Sequence, residues 1–132
     1  MIKRIPLTAL QKALYMLLTT YQTTPVYDDV PEGATLPYIT LGAFTCKPNG
    51  AKYTDISDIS LQLHIWSEYS GKAEVNGIAE DVIAVIGHYL IDLSADNFNA
   101  MSQEYDMFEA FPEETTGYHG VITFVARIQN LN

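Results

Sequence analysis

The sequence has 132 residues, enough for one domain and too few for two independent cores. Hydrophobic residues make up 48% and charged residues 17%, so the chain can bury a sizeable core and is not a disordered tail. Seven Lys and Arg against sixteen Asp and Glu give a formal net charge of -9, which excludes a non-specific nucleic-acid binder of the basic-patch kind. The single cysteine excludes an internal disulfide and a cysteine-based zinc site.

No apolar run approaches the length that crosses a bilayer. Lys3 and Arg4 precede an apolar stretch, but Gln11 and Lys12 interrupt it and Tyr21-Gln22 offers no small-residue cleavage site. No signal peptide is expected, and the cell interior is the expected address. Leu7, Leu10, Leu14, Leu17 and Tyr21 recur at spacings of three and four, predicting a helix from Leu7 to Thr20. Pro6 stands just before it, and Thr8 followed by Gln11 fits a capping box. Val26-Tyr27 reads as a short strand, and Asp28 to Pro37, with two prolines, a glycine and three acids, as a loop.

Tyr38 to Thr45 is rich in strand formers, with Ile39, Leu41 and Ala43 expected on one face. Lys47-Pro48-Asn49-Gly50 signals a turn, and the break from Cys46 to Tyr53 is expected to project as a loop. Ile59, Leu61, Leu63 and Ile65 alternate with Ser60, Gln62, His64 and Trp66, the cleanest half-buried strand in the chain. Ser70-Gly71 is expected to open a second helix, with Ser70 as its cap and an apolar stripe from Val75 to Leu90. Two strands should follow, Phe98–Phe108 and Gly120–Ile128, the last apolar on both faces as suits a central strand or a subunit contact. Between them, Glu109–His119 reads as an exposed acidic loop. This order predicts a single α+β domain over residues 1–132, a mainly antiparallel sheet with two principal helices on one face.

Charge is unevenly spread. Residues 1–72 carry six acids and six bases, whereas residues 73–132 carry ten acids and one base, Arg127. The excess acid is either a solvated surface that keeps the protein soluble or a negative face turned toward a polyanion or a basic partner.

Catalytic chemistry is hard to find. His64 points outward from a strand, His88 lies on a helix and His119 in a loop, and no pair has metal-ligand spacing. Cys46 has no orienting histidine in view. Asp28-Asp29 and Asp55/Asp58 match no calcium loop and read as loop solvation and turn chemistry. No phosphate-cradling glycine loop or nucleophile elbow is present, so the sequence offers no catalytic, metal-binding or cofactor-binding residue and no argument for an enzyme. Trp66 and Tyr69 are the notable aromatics, either contact anchors or side chains covered by a neighbouring element.

Val26-Tyr27, then Val30-Pro31-Glu32-Gly33-Ala34, then Leu36-Pro37-Tyr38-Ile39-Thr40-Leu41-Gly42 resembles the signature of small phage tail-completion proteins. A strand ending in His64-Ile65-Trp66-Ser67 and a helix over Glu74 to Leu90 follow in the same order, and Phe98 to Asn132 follows in outline. The resemblance implies a structural virion protein similar to tail terminators: a subunit of a hexameric ring at the head-proximal end of the tail tube, made in the host cytoplasm. Its implied partners are further copies of itself, the tail tube protein and the head connector protein, with DNA passing through unread. No cofactor, membrane or catalytic residue is implied. On this reading the partner-contact loops present Lys47, Pro48, Asn49, Lys52, Tyr53, Glu109, Glu113 and Glu114. Glu104 and Asp106 join the channel-facing acids, and Trp66 and Tyr69 are contact aromatics. The competing readings are a head-side connector component, a small-ligand-binding α+β domain, and a hydrolase or nuclease whose site is assembled from distant residues.

Overall fold

The computed structural model describes residues 2–115 and 117–132. Its elements run α1 (Leu7–Tyr21), β1 (Val26–Tyr27), β2 (Tyr38–Pro48), β3 (Asp55–Ser67), α2 (Ala73–His88), a single 3-10 turn (Ser94–Asp96), β4 (Phe98–Pro112) and β5 (Tyr118–Asn130). The strands form one sheet in the order β1-β2-β3-β5-β4, antiparallel throughout except for the short parallel pair of β1 with β2. This is the α+β architecture that the alternation of helical and strand periods predicts.

The core lies on one face. Ile59, Leu61, Leu63 and Ile65 of β3 are buried there beside Ile122, Phe124 and Ile128 of β5. Val75, Ile78, Val82 and Ile86 of α2 cover them, and α1 adds Leu10, Leu14 and Leu18. Truncating one such leucine to alanine costs roughly 2–5 kcal/mol, because transfer and cavity terms add. β5 is central between β3 and β4, which is why it is apolar on both faces.

Local details differ from the sequence expectations for physical reasons. The buried stripe of α1 runs through Leu18 rather than Leu17, and Tyr21 is exposed but stacks on Tyr89 at 3.7 Å between ring centroids. Thr8 makes no capping box: the cap position is Pro6, with no side-chain cap bond, and the Pro6 carbonyl accepts from the Leu10 amide. Nor does Ser70 cap α2, which starts one residue after Lys72. A bulge between Leu41 and Phe44 shifts the register of β2, so Phe44 packs against the core and Ala43 is exposed.

Both supposed loops are partly strand. β2 continues through Cys46, Lys47 and Pro48, and β4 through Glu109 to Pro112, leaving turns at residues 49–54 and 113–117. Strand pairing to the last residues extends each hairpin beyond what composition suggests. Thr116, within the supposed acidic loop, lies outside the described residues. Gly117 adopts φ of +82°, and a Cβ there would stand 1.9 Å from the Ser67 carbonyl oxygen, so only glycine lets this turn lie against the end of β3.

Asp55 is not turn chemistry either. It is buried at the start of β3 and accepts hydrogen bonds from the Arg4 backbone amide (2.7 Å) and the Asn130 side chain (2.9 Å), pinning the N-terminal segment to the sheet. Burial opposes its ionisation, but these donors outweigh it and hold the carboxyl below its ordinary value.

Candidate functional site

The sheet face opposite the helices carries the chemistry of the molecule. Alternation along β3 and β5 places Asp58, Ser60, Gln62, His64 and Trp66 on this face beside Arg127, Val125, Thr123, Val121 and His119. From β4 it receives Ser102 and Glu104 and, past the bulge between Tyr105 and Met107, Glu109 and Phe111.

At one end of the face the side chains converge. Trp66 and His119 stack with centroids 3.8 Å apart, and Phe111 meets His119 at 4.9 Å. Trp66 Nε1 donates to Thr40 Oγ1 (2.9 Å). His64 Nδ1 and His119 Nε2 are 2.7 Å apart, and His119 Nδ1 lies 2.8 Å from Glu113 Oε1. An ionised carboxylate only accepts, so His119 donates through Nδ1; in the neutral ring Nε2 then accepts, and His64 donates through its own Nδ1. The hydrogen bonds thus run in one direction from β3 through β5 to the β4–β5 turn. His64 fits because residue 42 is glycine: a Cβ there would approach the imidazole to 2.5 Å. Burial, reinforced by the neighbouring His119, pushes the His64 pKa below 6.5.

Toward the other end the twisted sheet forms an open cleft of about 450 Å³, lined by residues including Lys47, Asp58, Glu104 and Arg127. Arg127 grips Asp58 through two nitrogens at 2.7 and 3.2 Å, and this bond, with the guanidinium charge, lowers the Asp58 pKa. Asn49 adds a donor to the same carboxylate at 2.8 Å.

The pairing register separates the sequence-derived contact residues into two groups. Asp55 pairs with Asn130 and Ser67 with Tyr118, so the 49–54 and 113–117 turns stand at opposite ends of the sheet. Lys47, Pro48, Asn49, Lys52 and Tyr53 belong to the first end, and Tyr53 is 78% exposed. Trp66, Tyr69, Glu113 and Glu114 belong to the second, with Glu109 three residues short of the end of β4. Tyr69 is 53% exposed, whereas Trp66 is half-buried in its stack. Glu104 and Asp106 lie midway along β4, Glu104 on the open face and Asp106 within the bulge.

His119 is in β5, not a loop, and is bonded to His64, a pairing that sequence spacing did not reveal. Had β3 and β5 been aligned end to end, Trp66 would have stood opposite His119, but register cannot be read from two strands of similar pattern. Among the described residues, no group of three or more His, Cys, Asp and Glu is arranged to hold a metal ion.

The fold recurs in a chain from the virion of a native gene transfer agent particle, with a TM-score of 0.80 at 20% identity over 93% of this chain and 96% of that one. It recurs again in the gp17 protein of bacteriophage SPP1, with a TM-score of 0.60 at 20% identity over 95% of this chain and 92% of that one. No curated protein sequence matches the chain significantly. The sequence model described as tail completion protein gp17 matches residues 7–129, nearly the whole chain, and the resemblance read from the Val26–Gly42 segment agrees with it. The chain therefore belongs to the tail completion protein gp17 family, structural proteins of phage tails.

Proposed function

We propose that the protein completes the tail by forming a ring at the head-proximal end of the tail tube and joining it to the capsid connector, DNA passing along the ring axis without sequence-specific contacts. The observation that carries this reading is the placement of the two long hairpins, whose turns project at opposite ends of one sheet. A joint needs two distinct contact ends held at a fixed distance, and a rigid antiparallel sheet supplies that spacing. The similar fold of a chain in the virion of a gene transfer agent particle supports the same reading. Each subunit contact can be weak, because a ring repeats it around the axis.

Electron microscopy of the protein mixed with tail tubes tests the proposal, with added density expected at one end of each tube. Two variants then separate the ends. Replacing Lys52 and Tyr53 with serine alters one turn, and replacing Tyr69 and Glu114 with serine alters the other end. One variant should leave tube ends bare; the other should cap tubes that fail to join heads. If both variants complete tails normally, the two-ended joint is wrong.

A further inference from the structure

The geometry points to the way neighbouring copies meet: the outer edge of β4 of one subunit pairs antiparallel with the uncovered half of β2 of the next, with Glu104 set against Lys47. This inference rests on the ring reading and specifies its subunit contact.

β4 is 15 residues long and pairs with no strand but β5, and beyond Phe98, whose amide donates to the Leu93 carbonyl, its other edge is open to a further strand. Met101, Tyr105 and Met107 are exposed on it. A free edge of that length with apolar side chains is a template for another strand. The same strand carries Glu104, Asp106 and Glu109, so two copies of β4 would set like charges face to face. Self-pairing is disfavoured, and the occupant must be a different edge of neutral or positive charge.

The other side of the sheet supplies one. β1 covers only Ile39 and Thr40 of β2, leaving Leu41 to Pro48 with an open outer edge. That segment contains Lys47 and no acid. Strand direction also agrees. Three antiparallel steps separate β2 from β4, so the two edges run in opposite directions. Subunits related by rotation about an axis along the strands then bring β4 and β2 together antiparallel, and head-to-tail contacts of this kind close into rings.

The heights match as well. Across the register, Lys47 is level with Asp58, Arg127 and Ser102, and Thr45 with Ser60, Val125 and Glu104. Glu104 therefore stands two residues from the level of Lys47 on the same face, the diagonal spacing that long side chains bridge. Between the two bulges, Ser102–Tyr105 keeps a regular ladder on which the new strand can form. Within the subunit the charge of Asp58 is taken by Arg127, while Lys47 and Glu104 have no ion pair among the described residues.

Cross-linking tests the pairing. In a Cys46→Ser background, Lys47→Cys and Glu104→Cys together, treated with a short bis-maleimide on tube-bound protein, should give a ladder of multimers on a denaturing gel. Each single-cysteine protein should remain monomeric. Dimers from Glu104→Cys alone, or from Lys47→Cys alone, would overturn the inference by showing like edges together. Rings visible on tubes without a ladder would overturn it while leaving the ring reading intact, and tubes without rings would sink both. A charge exchange gives an independent readout. Lys47→Glu or Glu104→Lys should raise the concentration needed for assembly about tenfold, the direction expected of like charges at a contact. The double exchange should restore it, and a double variant no better than the singles rejects the pair.

Discussion

The hydrogen-bond chain from His64 through His119 to Glu113 ties β3 and β5 to the turn that follows β4. The depressed pKa of His64 sets the sign of the pH response. The unfolded chain takes up the proton more readily than the folded one, so this contribution is full above about pH 6.5 and is lost as pH falls through the lower folded value. His119 and Glu113 are the titratable groups bonded into the same chain. Urea unfolding between about pH 5 and 8 should therefore show wild-type stability falling toward acid, more steeply than in His64→Gln, which keeps a donor but does not titrate. Equal slopes would remove His64 from the account. None of this was legible in the sequence, because the partners are 55 residues apart and only strand register brings them together.

Elements were more legible than their joints. The alternation from Ile59 to Trp66 located the middle of β3 and the face of each of those side chains, because burial of one face enforces period two, whereas Asp55 to Asp58 at its start read as turn. The span of α1 was legible to within a residue, but the caps of both helices and the extent of the turns were not, because packing rather than local capping decides them. Gln103 shows how. It occupies the core face of β4, and its amide nitrogen donates to the carbonyls of Ile86 and Tyr89 while its oxygen accepts from the Ile91 amide at 2.9 Å. A side chain from a strand thus satisfies backbone groups that the end of α2 leaves over. Sequence gives no sign of this, since a glutamine amid alternating strand residues reads as solvent-facing. Replacing Gln103 with alanine should lower the unfolding free energy by about 1–3 kcal/mol, because the partly buried carbonyls lose their donor. A loss below about 0.5 kcal/mol would class Gln103 with ordinary surface positions.

At the scale of the whole molecule, the acidic excess of residues 73–132 acquires a location. Glu104 and Glu109 lie on the open face of β4, Asp106 within its bulge and Glu114 in the turn beyond, while Glu113 is held by His119. If subunits join edge to edge as proposed, these faces would form a continuous band around the ring. A band turned inward repels the phosphates of a passing genome, whereas a basic band would bind them with counterion release and hold the DNA back. Screening confines the effect to charges within about 8–10 Å of the DNA, so only inward-facing side chains count. Asp106, Glu109 and Glu114 test this best, because Glu113 bonds to His119 and Glu104 is placed at the subunit seam. Changing the three to lysine should slow DNA ejection from correctly joined particles, and Asn or Gln at the same positions should fall between that variant and wild type. If the charge serves only solubility, ejection stays unchanged and the loss appears instead as aggregation of the free lysine variant.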